Sequence, residues 1–375
     1  MRISRRSGLL VSGIATALTA SLMLAPVQAA DSSTATSLAD FGGLAGLEAA
    51  CKKEGQLNLI AIPDDWANYG AIKDAFRKKY PEVNLISANE EYGSRQELDA
   101  SLQLRGTNRA PDVYDGGLRF AVIGQRADLF AIYKHAGWND IPAANKNADG
   151  YYGANYGGFM TIGYDAKKVK TVPTKLMDLG NKIYKNQVAL NGNPATANAA
   201  LHGVIAVSVA KAGLKKGVKD ASIGVKTINE WKKAGTFIPI EASSATVKNG
   251  QTPIVLDWGF LQQGYGQASK KVDWKFVVPT DAAIGTYYMH AVFKYAPHPA
   301  CARLWTEHIF TDEQQNNWLR GFASPVRLPA MVKKGTADKK ALAKLPQPPK
   351  GVKPYFLTLD EQVAAGAKVA STWGK

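Results

Sequence analysis

A carboxylate followed by an indole ends one of the most apolar segments of the chain. Residues 253–256 are rich in β-branched side chains and are bounded by glycines at 250 and 259, which is typical of a buried parallel strand. Ligands of open α/β sheets bind where strands end. Asp257 can therefore pair with a positively charged solute, and Trp258 can add a cation–π contact. The alternative is a helix-capping Asp followed by a half-buried Trp.

A second group with the same chemistry follows the first predicted strand, at 56–62. Asp64, Asp65, Trp66 and Tyr69 lie in and just after the turn that ends this strand. Two carboxylates beside aromatic rings suit an ammonium group. Asp residues in such a turn also hydrogen-bond their own backbone and cap the next helix. We take all four as candidate ligand contacts, favour Trp66, and expect at least one Asp to be structural.

Asn193 lies where a short predicted strand at 188–190 turns into a helix. Free backbone amides at a helix start attract anions, phosphate above all. Pro194 removes one of these amides, and no glycine-rich cradle is present. A plain helix cap is therefore the favoured interpretation, with the Asn193 side chain as a candidate ligand contact.

The residues that enzyme motifs require are dispersed. No nucleophile elbow, H-E-x-x-H motif or P-loop is present, and the two cysteines lack the closely spaced partners of a zinc site. The five histidines are far apart in the sequence: His135, His202, His290, His298 and His308. The sequence therefore predicts a binding protein, with no cofactor and no metal, rather than an enzyme.

Strands and helices alternate along most of the chain, which is the signature of doubly wound α/β sheets. Helical spacing predicts helices at 97–104 and 195–212, among others. The Gly- and Tyr-rich segment 151–164 interrupts the alternation and predicts a passage from one sheet to another, and a second crossing is expected at 268–280. Two α/β units with a cleft between them follow from this pattern.

Residues 1–29 have the features of a signal peptide, with arginines at 2, 5 and 6, an apolar stretch and a small-residue cleavage site ending at Ala29. Ordinary secretion is favoured over twin-arginine export. The net charge of +15 becomes +12 without the leader. The lysines are scattered and lack neighbouring aromatics, which favours a solvated basic surface over nucleic-acid binding. Cys51 and Cys301 would meet an oxidising compartment, and their pairing is left open.

Several segments resemble the extracellular solute-binding proteins of ABC importers. They are K-K-E-G-Q-L-N-L-I, G-Q-T-P-I-V-L-D-W, A-P-H-P-A-C-A-R-L-W and T-D-E-Q-Q-N-N-W-L. The chain is most similar to the type II group that contains polyamine and ferric-iron receptors. The resemblance implies two doubly wound α/β sheets, joined by two crossover strands, with a ligand cleft between them. We assign residues 30–158 and 275–375 to lobe I and residues 159–274 to lobe II.

The resemblance further implies a periplasmic monomer that closes on a small solute and delivers it to a permease in the inner membrane. A polyamine such as spermidine or putrescine, or another organic cation, is the favoured ligand, held by Asp257 within a cage of aromatic side chains. The cage would consist of Trp66, Trp258 and either Tyr287 or Tyr288. These two tyrosines are adjacent in a predicted strand, where successive side chains point to opposite faces, so only one can reach the cleft.

Two alternative ligands stay open at this stage. Adjacent tyrosines coordinate iron in the ferric-binding receptors, which makes ferric iron one alternative. The positive charge of the mature chain leaves room for a small anionic solute, such as a phosphonate or a sugar phosphate. No nucleic-acid partner is expected.

Overall fold

The computed structural model describes residues 31–267 and 270–375. The predicted signal peptide and its cleavage site lie outside the described residues. Among the described residues, no helix is both long and apolar enough to span a bilayer. The α-helices are α1 (Leu44–Glu54), α2 (Tyr69–Lys79), α3 (Ser94–Gln103), α4 (Leu118–Arg126), α5 (Asn198–Ala212), α6 (Leu214–Lys219), α7 (Ser222–Ala234), α8 (Ser244–Lys248), α9 (Gly259–Gln267), α10 (Pro299–Ile309), α11 (Asp312–Arg320), α12 (Leu328–Lys334), α13 (Lys339–Leu342) and α14 (Leu359–Thr372).

The strands alternate with these helices as the sequence predicts. They are β1 (Gln56–Ile60), β2 (Asn84–Ala88), β3 (Val113–Gly117), β4 (Phe130–Ala131), β5 (Gly153–Asp165), β6 (Val188–Leu190), β7 (Phe237–Glu241), β8 (Ile254–Trp258), β9 (Trp274–Val277), β10 (Ile284–Phe293), β11 (Ser324–Pro325) and β12 (Tyr355–Phe356). The predicted strand around residue 254 is β8, and its five residues are all buried.

The long strand β5 joins the two halves of the molecule. Its first half pairs antiparallel with β10, and its second half, from Met160 onward, pairs antiparallel with β8 and β9. The sheets are therefore mixed, because β6, β7 and β8 pair in parallel while the crossing strand runs against them. The first crossing falls within the predicted segment 151–164. The second lies at 278–283, between β9 and β10, slightly later than the predicted 268–280.

In lobe I, β10 is the central strand. It pairs with β5 on one side and with β3, β4 and β12 on the other. β1 and β2 form a parallel pair, and a hydrogen bond of 2.9 Å from the Asp112 N–H to the Asn58 carbonyl ties β1 to the start of β3. In lobe II the strand order is β9, β5, β8, β6, β7.

Cys51 of α1 and Cys301 of α10 form a disulfide, with their Cα atoms 4.5 Å apart. The pairing that the sequence left open is therefore present. Glu54, in the last turn of α1, accepts hydrogen bonds of 2.9 and 2.8 Å from the N–H groups of Ala300 and Cys301. A carboxylate at a helix start is stabilised by the free amides there. The disulfide thus joins the two sequence segments of lobe I.

The last helix, α14, packs against both lobes. It contacts α4 of lobe I and the helices α5, α6 and α7 of lobe II. The indole of Trp373, just after α14, packs edge-on against Phe237 of β7 with ring centroids 6.3 Å apart. The sequence assigned this helix to lobe I alone. The structure gives the lobes a third connection, in addition to the two crossing segments.

Candidate functional site

A cavity of about 240 Å³ lies between the two lobes. It is bordered by residues at the carboxyl ends of β1, β2 and β3 in lobe I and of β6 and β7 in lobe II. These are the strand ends at which open α/β sheets bind ligands. The starts of α3, α5 and α8 also reach it. The cavity is therefore where the sequence analysis predicted a ligand cleft.

Carboxyl groups dominate the charged lining of the cavity. Among the residues that the structure describes, no Lys, Arg or His side chain lines it. The acidic lining residues are Asp65, Glu90, Glu91, Glu97 and Asp115 from lobe I and Glu241 from lobe II. The aromatic lining residues are Trp66, Tyr92, Tyr265 and Tyr288. The lining is thus acidic, although the protein as a whole is basic.

Asp115 of β3 accepts several hydrogen bonds from buried side chains. The hydroxyl of Tyr69 donates to it, as do the amide of Asn155 at 2.8 Å and the hydroxyl of Tyr156 at 3.1 Å. Burial raises the pKa of Asp115 to about 6, and the three donors oppose that rise. A pKa of about 6 favours the ionised form at neutral pH, and the described residues of the cavity lining supply no cation.

Glu97 lies directly behind Asp115, on α3. Its carboxyl accepts the N–H of Asp115 at 3.0 Å, and the side chain is buried. Burial raises the pKa of Glu97 well above its usual range, and the neighbouring Asp115 adds to the rise. Burial therefore makes the charged form of Glu97 costly.

The sequence predicted a direct ion pair between Asp257 and the solute, but the structure gives this residue a supporting position. Its carboxylate is fully buried and is not part of the cavity lining. It accepts hydrogen bonds from Asn191 at 2.5 Å and from Tyr265 at 2.7 Å, and both of these residues line the cavity. Burial raises the pKa of Asp257 to about 7. Asp257 thus orients two lining side chains from behind.

Trp258 lies in the hydrophobic core and not in the cavity lining. Its indole N–H donates to the Tyr288 hydroxyl at 3.2 Å, and its ring stacks near Phe260 with centroids 6.3 Å apart. The expected cation–π contact between Trp258 and the solute does not fit the structure, because packing covers the ring.

Only one of the two adjacent tyrosines reaches the cavity. Tyr288 lines it, whereas Tyr287 stacks on Phe356 with ring centroids 5.5 Å apart. This is the outcome that strand alternation predicts. Tyr287 is thus removed from the set of candidate contacts by its position on the other face of β10.

Only some residues of the loop after β1 line the cavity. Asp65 and Trp66 line the cavity. Asp64 does not, and its exposed side chain pairs with the buried Lys73 ammonium at 2.5 Å. Tyr69 is fully buried and reaches the site only through its hydrogen bond to Asp115. The expectation that at least one of the two Asp residues is structural therefore fits Asp64.

A hydrogen bond at this site connects the lobes directly. The Ser244 hydroxyl of α8 donates to the Asp65 carboxylate at 2.6 Å. Asn193 lines the cavity together with Thr196 and Ala197, and α5 begins only at Asn198 with no side-chain cap. Asn193 is therefore in the loop before the helix, and its own carboxamide oxygen accepts the N–H of Ala195 at 2.9 Å.

Most of the acidic lining was missed by the sequence analysis. Glu90 and Glu91 follow β2 and Glu241 ends β7, so the criterion applied to Asp257 would also have selected these three. Asp115 lies in the middle of β3 and Glu97 is one polar residue on a helix, so neither carries this signal. Only the folded arrangement brings them to the cavity.

Solved structures with the same fold bind different solutes. Iron-bound HitA from Pseudomonas aeruginosa is 18% identical over 84% of this chain and 97% of its own, with a TM-score of 0.60. AfuA from Actinobacillus pleuropneumoniae, solved with fructose-6-phosphate, is 16% identical over 84% of this chain and 95% of its own, with a TM-score of 0.62. The spermidine/putrescine transporter protein PotD from Streptococcus pneumoniae is 15% identical over 76% and 86%, with a TM-score of 0.55. At these identities the likeness establishes the two-lobed fold and not the ligand.

A search of curated proteins finds no match to the sequence. The family model of the bacterial extracellular solute-binding proteins matches residues 119–347, which is more than half of the chain. This stretch includes the crossing strand β5, all of lobe II and the central strand β10. The chain belongs to the bacterial extracellular solute-binding protein family.

Proposed function

We propose that the protein is the periplasmic receptor of an ABC importer for a small organic cation of the polyamine class, and that it hands this solute to a permease in the inner membrane. The observation that carries the proposal is the lining of the cavity between the lobes. It has six carboxyl groups and, among the described residues, no basic side chain. An ammonium group is the complement of such a site, since buried charges require a partner.

In this proposal, Asp115 and Asp65 pair with ammonium groups, and Trp66 and Tyr288 form an aromatic wall beside the alkyl chain. The two rings pack edge to face, with centroids 5.6 Å apart. The buried Lys73 ammonium lies 3.4 Å from Glu90 and satisfies part of the negative charge at that edge. Asn191 and Tyr265, positioned by Asp257, add neutral hydrogen-bond groups. Asp257 and Tyr69, which the sequence predicted as direct contacts, act as positioning residues in this proposal.

A ferric ion has less support. Tyr288 reaches the cavity without its neighbour Tyr287. In the described part of the chain, no three His, Cys, Asp or Glu residues are grouped closely enough to hold a metal ion. An anionic solute is favoured by one feature, the uncapped start of α5 at the cavity. It would, however, meet six carboxyl groups and, in the described part of the lining, no cationic residue.

The direct contact between the lobes supports a receptor that closes on its solute. The hydrogen bond from Ser244 to Asp65 can form only when the lobes are together, and hinge closure of this kind is known for two-lobed binding proteins. Asp65 is both a candidate ligand contact and part of this inter-lobe bond. Solute binding and closure therefore share a residue.

Isothermal calorimetry and thermal unfolding with spermidine, putrescine, ferric citrate and fructose-6-phosphate test the proposal. A ligand at 100 times its dissociation constant stabilises the folded state by about 2.7 kcal/mol. We expect this stabilisation from a polyamine and not from the anion or from iron. Stabilisation by fructose-6-phosphate or ferric citrate alone would overturn the ligand class, while leaving the receptor family intact.

A further inference from the structure

Residues 159–274 carry most of the surplus positive charge of the protein. They contain sixteen lysines, no arginine and seven acidic residues, whereas the rest of the chain after residue 29 has a surplus of only three positive charges. All sixteen lysines are exposed, but only three of the acidic residues are: Glu230, Glu241 and Asp273. The exposed charged side chains of lobe II are therefore predominantly cationic.

Fifteen of these sixteen ammonium groups form no ion pair with another described residue. Among the described residues, every ion pair within 4.0 Å joins two residues of lobe I except the pair between Lys275 and Asp273. Lys271 has a partner of its own. The other fifteen lysines of lobe II are absent from the ion pairs of the described residues. Their charge is available to an external partner.

Three segments that are far apart in the sequence bring several of these lysines together. The Lys167 ammonium donates to the carbonyls of Lys270 and Lys271, at 3.2 and 2.8 Å. The Lys168 ammonium donates to the Gly250 carbonyl at 2.8 Å, two residues beyond Lys248. We call this group the lysine tip, and its members are Lys167, Lys168, Lys170, Lys248, Lys270 and Lys271. Lysines that are scattered in the sequence thus form a cluster in the folded protein.

The lysine tip lies at the opposite end of lobe II from the cavity. In the antiparallel pair of β5 and β8, the tip follows the end of β5 and precedes the start of β8, where Tyr164 faces Ile254. The side chains around the cavity begin at the other end of β8, where Asp257 faces Thr161. A partner bound at the tip would therefore leave the ligand cleft open.

We propose that the lysine tip docks on anionic phospholipid headgroups at a membrane surface. Clusters of four to eight basic residues are attracted to such surfaces, where each one strengthens binding about fivefold. Specific protein and nucleic-acid partners are recognised instead through arginine forks and aromatic rings. Lobe II has no arginine. Its large exposed apolar side chains among the described residues are all aliphatic: Val172, Ile183, Leu214 and Ile240. The inference goes beyond the proposed function and does not depend on the solute.

Vesicle co-sedimentation of the purified exported protein tests this inference. The vesicles contain phosphatidylethanolamine and phosphatidylglycerol, and neutral phosphatidylcholine vesicles serve as the comparison. One variant replaces Lys167, Lys168, Lys170 and Lys248 by Gln. A matched variant removes the same charge from lobe I by replacing Lys52, Lys53, Lys78 and Lys350, which are also exposed.

We expect the wild-type protein to bind the anionic vesicles at low salt and to be released at about 1 M salt, where the Debye length is about 3 Å. The tip variant should bind at least tenfold more weakly, and the lobe I variant within about threefold of wild type, given roughly fivefold per contacting lysine. Equal loss in the two variants would show that net charge alone is responsible and would overturn the inference. Equal binding to neutral vesicles, or no binding at all, would do the same.

Discussion

Burial raises the pKa of several carboxyl groups at the cavity. Asp115, with a pKa of about 6, favours its ionised form at neutral pH and has three donors around it. Burial also raises the pKa of Glu97 well above its usual range and raises that of Glu91. Burial therefore opposes full ionisation of the six carboxyl groups.

Asp115→Asn is expected to weaken spermidine binding at least tenfold, because losing one partner of a desolvated charge pair costs roughly 2–5 kcal/mol. Isothermal calorimetry at pH 7.5 measures this loss. Asp64→Asn is the matched control, since that side chain is 71% exposed and outside the cavity, and it should bind within about twofold of wild type. If the Asp115 variant bound spermidine as well as the wild type does, the cationic ligand assignment would be wrong.

The pKa of Asp257 predicts a pH dependence of stability. Burial raises this pKa from 3.8 to about 7, so the unfolded chain loses its proton first. The free energy of unfolding should therefore decrease as the pH rises from about 4 to about 7 and level off above that. The decrease from this group is at most roughly 4 kcal/mol, at 1.36 kcal/mol per pKa unit.

Asp257→Asn should remove that contribution, because the amide stays neutral at every pH. Urea unfolding at pH 5 and pH 7.5 would show a smaller loss of stability in the variant than in the wild type. Asp273→Asn, at an exposed site, should follow the wild-type curve. Parallel curves for the Asp257 variant and the wild type would refute the assigned pKa.

At the scale of elements, a substitution in α9 can test whether the lobes must close for the solute to bind. A Cβ atom at Gly264 would lie 2.5 Å from the backbone carbonyl of Asp65 in the other lobe, so the closed contact could not form unchanged. Gly264→Ala should therefore lower solute affinity while leaving each lobe folded. Gly266→Ala is the control on the same helix, because its Cβ would meet Trp274 at an ordinary 3.7 Å.

Calorimetry and small-angle scattering measure the outcome for these two variants. We expect the Gly264 variant to be more extended than the wild type with solute present, and the Gly266 variant to be indistinguishable from the wild type. Unchanged affinity in Gly264→Ala would mean that binding does not need this approach of the lobes.

The alternation of elements was predictable, but the bounds that shape the cavity were less so. The sequence pattern predicts helices at 97–104 and 195–212, whereas α3 begins at Ser94 and α5 at Asn198. Each difference changes which residues line the cavity, because helix starts depend on tertiary contacts as well as on local spacing. The position of Trp258 in the core could not be predicted from the sequence either. Local sequence places it beside Asp257, but only packing against Phe260 and Tyr288 decides that it lies in the core.

At the scale of the whole molecule, the disulfide should matter more for lobe I than for the ligand site. Cys51 and Cys301 are 250 residues apart in sequence, and removing a native disulfide typically costs about 2–5 kcal/mol. Replacing both by Ser should lower the thermal unfolding midpoint of the free protein. Solute affinity measured well below that midpoint should change little, since neither residue lines the cavity. A variant with an unchanged midpoint would contradict the prediction.

The central place of β10 has a consequence for the order in which the sheets can assemble when the chain appears from its N-terminal end. Strands β3, β4 and the first half of β5 appear early, but their common neighbour β10 ends only at Phe293. The strands of lobe II appear together, between Met160 and Val277. Lobe II can thus complete its sheet before lobe I does. Until β10 is available, β3, β4 and the first half of β5 have unpaired edges. A chaperone that shields strand edges would bind this part of lobe I.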